Sequence, residues 1–137
     1  MSRGAPDGYG WSAPVSLRGV GGSNHYVVDF ELPPGGSSVT PESLDVELVD
    51  GWVGQIALHF PPGPATLAHV KIYVAGLQLY PTTDTQSFHS DNMLIVLPCD
   101  FDVPDVGGTY QITLKGWNTD DTWPHTIQCH IWVIPYV

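Results

Sequence analysis

Two stretches near the C-terminus alternate between apolar and polar residues, and this alternation constrains the fold more than any other feature. The apolar positions are Tyr110, Ile112 and Leu114 in the first stretch, and Ile127, Cys129, Ile131 and Val133 in the second. A period of two is typical of a strand with one buried and one solvated face. We therefore predict two long strands within Thr109–Val137, joined by a polar loop as an antiparallel hairpin and covered by a second sheet.

The rest of the chain predicts further strands, separated by turns that are rich in glycine and proline. The 15 glycines and 13 prolines are dispersed, which is typical of many short strands. The predicted strands are His25–Leu32, Asp45–Val49, Gly54–Phe60, His69–Tyr80 and Asn92–Pro98. Together with the two C-terminal strands and a reversal inside one segment they make about eight, the number expected of a sandwich or jelly roll.

Three of these segments carry more specific predictions. His69–Tyr80 changes the parity of its apolar residues at Ala75-Gly76, which favours a two-residue hairpin turn, with a β-bulge as the alternative. Asn92–Pro98 is apolar almost throughout, which predicts a strand that is buried on both faces or lies at an interface. Thr40–Ser43 predicts a short helical turn.

The predicted fold is all-β: a two-sheet antiparallel β-sandwich, jelly-roll-like, over residues 25–137, preceded by an extended N-terminal arm over residues 1–24. The arm is rich in glycine, yet it also contains large apolar side chains. These are Tyr9, Trp11, Leu17 and Val20. Apolar groups so spaced are expected to anchor the arm on a surface, which belongs either to its own sandwich or to a neighbouring chain.

Charge and cysteine content exclude several classes of function. The 14 acidic residues outnumber the 4 lysines and arginines, so the net charge is −10. Such a charge disfavours binding to nucleic acid and to anionic membranes. The N-terminus lacks the apolar core of a signal peptide, so none is expected. Cys99 and Cys129 are expected to be free, buried thiols, with a disulfide between them as the alternative.

One segment resembles a hairpin that is common in structural proteins of bacteriophages. The similarity lies in Lys71–Pro81, Thr82–Asp84 and Asn92–Val96: an apolar strand, a tight turn, a Leu- and Gln-containing return strand, a Thr-Asp turn and another apolar strand. Ala75 stands where the family pattern usually has asparagine. The resemblance covers under a quarter of the chain. It implies a β-sandwich of the virion, such as a decoration (cement) protein, a fibre or a baseplate component, and it brings no catalytic residues.

The tryptophans are the strongest candidates for contact with a partner. Trp117 shares a strand face with Lys115, and Trp132 shares one with His130, so both are predicted to point outward and to bind a partner together with the arm. The alternative is that a second packed layer or the arm covers them. Trp52 and Trp123, with Trp117, could instead form a platform on which a sugar stacks.

No reaction and no cofactor is predicted. Asp100, Asp102 and Asp105 could share a Ca²⁺ ion, but they lack the glycine and distal glutamate of an EF-hand loop, and solvated turn aspartates are the alternative. The histidines have no recognised zinc spacing, so no other metal site is expected. A nucleophile motif is also missing, and we expect that the chain is not an enzyme.

The resemblance and the arm together lead to one main functional hypothesis. The chain would be a capsid decoration or cement protein, made in the host cytoplasm and carried in the virion, that bridges and stabilises neighbouring capsid subunits. Its expected partners are the major capsid protein or another virion protein, and copies of itself in a dimer or trimer, without nucleic acid or membrane. The alternative is a carbohydrate-binding or receptor-binding module at a fibre or baseplate tip.

Overall fold

A computed structural model describes residues 24–136, and these residues form ten strands in two antiparallel sheets. The strands are β1 (Asn24–Leu32), β2 (Glu42–Glu47), β3 (Gly51–Phe60), β4 (Ala68–Val74), β5 (Leu77–Tyr80), β6 (Phe88–His89), β7 (Met93–Asp102), β8 (Asp105–Val106), β9 (Thr109–Asn118) and β10 (His125–Pro135). The predicted arm lies outside the described residues, except for Asn24, which begins β1. Within 24–136 no helix could cross a membrane.

The chain crosses repeatedly between the two sheets in the manner of a jelly roll, and β4 to β6 follow one another in the same sheet. One sheet, here called the front sheet, has the strand order β1-β10-β3-β7. The other, the back sheet, has the order β2-β9-β4-β5, with β6 added beside β4 and β8 beside β9. Without the two-residue strands β6 and β8, each sheet contains four long strands, which is the arrangement of an eight-stranded jelly roll. The predicted fold class is confirmed.

A single apolar core fills the space between the sheets. Along β9 and β10 every second side chain is buried, as the alternation in the sequence predicts. The front sheet contributes Ile56, Leu58 and Phe60, and the back sheet contributes Ile72 and Leu114, all of them fully buried. Because these side chains come from both sheets and pack in one cluster, neither sheet could be removed without exposing the inner face of the other.

The predicted hairpin between the two C-terminal strands is wrong. β9 pairs with β2 and β4 in the back sheet, whereas β10 pairs with β1 and β3 in the front sheet. The connection crosses from one sheet to the other and is held by buried Asn118. Its side-chain amide donates hydrogen bonds to the carbonyls of Leu32 and Trp123. Alternation defines which face of a strand is buried, but it does not define the neighbouring strand.

Two further segments differ from the prediction. Glu42 and Ser43 begin β2 and form no helical turn, because Leu44 and Val46 turn towards the core while the strand pairs with β9. β7 is not buried on both faces. It is the edge strand of the front sheet, and its outward Leu94 is 54% exposed. The alternative for this segment, an interface, stays a prediction.

The tight turn at Ala75-Gly76 is confirmed. Ala75 has a φ of 52° and Gly76 a φ of 81°, so both central residues adopt the left-handed conformation of a two-residue hairpin turn. Val74 pairs with Leu77 on either side of it. The register also shifts between Ile72 and Tyr73, so an irregularity of the alternative, bulge-like kind lies beside the turn.

The division between core and outer face can be tested with two identical substitutions. Leu58 is fully buried between the sheets, and Leu77 is 75% exposed at the hairpin turn. We expect Leu58→Ala to lower the free energy of unfolding by about 2–5 kcal/mol, because it removes packed methyl groups and leaves a cavity. Leu77→Ala should change it by less than about 0.5 kcal/mol. Urea unfolding followed by tryptophan fluorescence measures both, and equal effects would contradict the assigned core.

Candidate functional site

The middle of the outer side of the front sheet is a surface of mostly aromatic, apolar and histidine side chains, here called the front face. The strand registers bring three rows of outward residues together across β1, β10, β3 and β7. The rows are His25, Trp132, Gln55 and Pro98; Val27, His130, Ala57 and Val96; and Asp29, Gln128, His59 and Leu94. Within residues 24–136 these rows contain no lysine or arginine, and their one carboxylate belongs to Asp29.

A groove runs along the middle of the front face, and we call it the front groove. Its floor is Ala57, one wall is formed by His130 and Trp132, and the opposite wall by Leu94 and Val96. The groove exists because the small side chain of Ala57 lies between larger neighbours in its row. Its volume is about 240 Å³. This is below the roughly 300 Å³ at which small-molecule pockets begin, and an apolar side chain of a partner protein fits it better.

A chain of hydrogen bonds along the front face orients two of its histidines. The Gln128 amide donates to Asp29, so its carbonyl oxygen faces His130 Nε2 at 2.9 Å and accepts the proton of that nitrogen. The Nδ1 atom of a neutral His130 is then an acceptor, and it lies 2.9 Å from His25 Nε2, which must donate. His25 also stacks on Trp132, with ring centres 4.4 Å apart.

Burial lowers the pKa of His130, and the nearby His25 and His59 lower it further. Burial, followed by the effect of His89, also lowers the pKa of His69 on the back sheet. Below the ordinary histidine pKa of 6.5, the unfolded chain therefore takes up protons before the folded one does. This contribution to stability is complete above pH 6.5 and is lost as the pH falls through and below that value.

We expect the free energy of unfolding to fall between pH 7.5 and pH 5, because protons bind preferentially to the unfolded chain. Urea titrations at several pH values measure this slope. His130→Gln and His69→Gln should each reduce the slope, and the double variant should reduce it most. A slope that is unchanged in both single variants would contradict the assignment of these two histidines.

Trp117 and Trp132 both lie on outward faces, as predicted, but on opposite sides of the sandwich. Trp132 belongs to the front face, whereas Trp117 lies on the outer side of the back sheet beside Lys115 and stacks on His69, with ring centres 4.9 Å apart. Both rings are half-buried. A partner with one flat surface could therefore contact only one of them.

The proposed sugar platform of Trp52 and Trp123 does not form. Trp52 is only 2% exposed, and its Nε1 donates a hydrogen bond of 2.6 Å to Asp100. Trp123 is 67% exposed in the loop that precedes β10. Trp52 pairs with Ile134 near the other end of β10. At about 3.3 Å per residue, the two tryptophans are roughly 30 Å apart along the strand. Trp52 offers no surface for stacking.

The three aspartates that were candidates for Ca²⁺ are each bound to a different neighbour. Asp100 accepts from Trp52, and the Asp102 carboxylate accepts from the Tyr136 hydroxyl at 2.6 Å. Asp105 accepts from the backbone N–H of Gly108 in the turn before β9. Among residues 24–136, no group of three or more His, Cys, Asp or Glu side chains could hold a metal ion. Asp105 thus has the alternative role, that of a turn aspartate.

Cys99 and Cys129 are free and buried. They lie on β7 and β10, which are separated by β3, so their Cα atoms are about 10 Å apart or more, beyond the reach of a disulfide. Burial raises the pKa of Cys99 to about 11 and that of Cys129 to about 12. Both thiols are therefore protonated at neutral pH and are weak nucleophiles.

The sequence-based predictions missed most of the front groove and could not be tested on the arm. Ala57, Leu94 and Val96 became recognisable as one surface only through the strand registers. The one signal in the sequence was the apolar Asn92–Pro98 segment. Tyr9, Trp11, Leu17 and Val20 lie outside the described residues. The sequence matches no protein-family model and no curated protein.

Proposed function

We propose that this chain is a non-enzymatic structural protein of a virus particle, of the capsid decoration or cement type, which bridges neighbouring capsid subunits. In this proposal the front face packs against the shell. The front groove receives an apolar side chain from a capsid subunit, and the histidines and Gln128 lie around it as hydrogen-bonding groups.

The observation that carries the proposal is the exposure of apolar side chains on the front face. Val27, Leu94 and Val96 are 48%, 54% and 48% exposed. Leu94 and Val96 lie side by side on β7, across the groove from half-buried Trp132, and Val27 lies at the far end of the Val96 row. Contiguous apolar groups of this kind on a folded domain mark surfaces that bind another protein. An aromatic residue beside a groove is also typical of the centre of such an interface, where most of the binding energy is concentrated.

The distribution of charge also favours the front face as the docking surface. The chain has a net charge of −10, yet the three rows of the front face contain one carboxylate, Asp29, which is already hydrogen-bonded to Gln128. Glu31 and Asp100 lie on the same side of the sheet, beyond these rows. Docking through this face would remove few charged groups from water, so little of the binding energy would be lost to desolvation. The acidic residues elsewhere would keep the free protein soluble.

Two observations support a role in a virus particle: the jelly-roll fold and the segment that resembles phage structural proteins. Jelly rolls with this arrangement of strands occur in viral capsid proteins and also in lectins. A fold alone does not determine function. The choice between these two classes rests on the phage-like segment from Lys71 to Val96 and on the apolar front face.

Binding to particles tests the proposal with a matched pair of substitutions. Val96 lines the front groove, and Val39 is 86% exposed in the loop between β1 and β2. Val96→Asp would place a charge in the interface and should weaken co-sedimentation with particles of the encoding virus by at least about tenfold. Val39→Asp should bind like the wild type. Absence of the chain from purified particles, or equal binding of both variants, would reject the proposal.

The predicted arm supplies a second test. We expect that a chain lacking residues 1–23 keeps the β-sandwich, because β1 and the whole described core are retained. It should attach to particles more weakly, since the apolar residues of the arm would no longer bridge subunits. Circular dichroism and thermal unfolding establish whether the shortened chain is folded, and co-sedimentation measures its attachment. A shortened chain that is folded and binds like the full chain would exclude a bridging role for the arm.

A further inference from the structure

The outer side of the back sheet contains a second depression, which differs chemically from the front groove. Its floor is formed by Gln111 and Thr113 on β9, and one wall by Ser43 and Asp45 on β2. The opposite wall is formed by Tyr73 on β4 and by the turn at Ala75-Gly76, while Lys115 closes one end. We call this depression the back pocket. Its volume is about 310 Å³, within the range of sites that bind small molecules.

The back pocket is rich in groups that form hydrogen bonds. Within residues 24–136, one oxygen of Asp45 accepts a hydrogen bond of 2.8 Å from the Thr113 hydroxyl, and its other oxygen has no hydrogen-bond partner. The Thr113 hydroxyl can still accept, and the Gln111 amide has both a donor and an acceptor. Donors and acceptors are therefore interleaved over the floor and one wall, as recognition of a molecule with several adjacent hydroxyl groups requires.

An aromatic ring and a positioned ammonium group complete the site. The Lys115 ammonium lies 4.5 Å from the centre of the Tyr73 ring, so a cation–π contact holds it at the edge of the pocket. Tyr73 adds apolar ring surface against which the C–H groups of a sugar can pack. The Lys71 ammonium lies over the Trp117 ring and donates a hydrogen bond to the Asp84 carbonyl, so it does not line the pocket. Lys115 is thus the cation that remains at the pocket.

Size and charge narrow the class of ligand. Asp45 and Lys115 balance one another inside the pocket, while the chain as a whole has a net charge of −10. An anionic ligand would be repelled by Asp45 and by the overall charge. A neutral sugar satisfies both groups, because each hydroxyl both donates and accepts. The volume has room for one ring and not for an extended oligosaccharide.

We propose that the back pocket binds one neutral sugar unit of a glycan. Asp45, Gln111 and Thr113 would bond its hydroxyl groups, Lys115 would donate to a ring or hydroxyl oxygen, and Tyr73 would pack against one face. This site differs from the tryptophan platform that the sequence predicted. It is also separate from the front groove, since it lies on the opposite sheet.

The experiment uses the full chain labelled with ¹⁵N and the methyl glycosides of glucose, galactose, mannose and N-acetylglucosamine as probes. Each is titrated to about 20 mM, because a single shallow site is expected to bind with a Kd in the millimolar range. At least one probe should give saturable amide shifts confined to residues 43–46, 73–76 and 111–115. Titrations without saturation for all four sugars, or saturable shifts elsewhere on the chain, would overturn the proposal.

A matched pair on β2 tests the role of Asp45. Asp45 and Glu47 are both outward and exposed, but only Asp45 lines the back pocket. Asp45→Ala should weaken sugar binding at least about tenfold, because a charge-assisted hydrogen bond is lost. Glu47→Ala removes the same charge and should leave the Kd unchanged. Thr113→Val, which keeps the shape of the side chain, should also weaken binding. Equal behaviour of the Asp45 and Glu47 variants would contradict a specific site.

The sugar proposal and the proposed structural function can fail independently. Val96→Asp should weaken attachment to particles and leave the sugar titration unchanged, because Val96 lies on the front face. Asp45→Ala should have the opposite pattern. If either variant disrupts both activities while the chain remains folded by circular dichroism, the assignment of the two activities to separate faces is wrong.

Discussion

The contact between the two sheets determines every other surface of this protein. Each long strand must place one row of side chains in the shared core, and the remaining row is then forced outward. On β10, burial of Ile127, Cys129 and Ile131 leaves Gln128, His130 and Trp132 on the outside. A shift of one residue would bury His130 and expose Ile131, and the energetic cost of both changes fixes the register. The front groove is thus a consequence of core packing.

The same constraint gives the two outer faces different chemistry. The front face is apolar, contains histidines and has few charges, whereas the outer side of the back sheet contains Lys71 and Lys115, the only lysines or arginines within residues 24–136. Surfaces on opposite sheets cannot be covered by the same flat partner. A domain of this kind is suited to attach through one face and to present the other to solvent. The structural function and the sugar site that we propose are compatible for this geometric reason.

The sequence predicted the local features well and the long-range features poorly. Period-two alternation identified most strands and the outward positions of Trp117 and Trp132, because the direction of a side chain on a strand depends on local geometry. The turn at Ala75-Gly76 was also predicted, since glycine tolerates positive φ. The pairing of β9 and β10 with other strands depends on the whole core, so the predicted hairpin failed.

At the candidate sites, too, the features that depend on residues distant in the sequence could not be predicted. The burial of Trp52 could not be inferred from its neighbours in the sequence, because Trp52 packs with Ile134 and Tyr136, which lie more than 80 residues away. The front groove depends on Ala57 lying between His130 and Val96, which belong to different strands. Its character also depends on protonation. Burial lowers the pKa of His130 and so favours its neutral form, and a proton on it would add a charge to the groove wall. Folded stability and the apolar nature of the groove therefore depend on the same neutral imidazole.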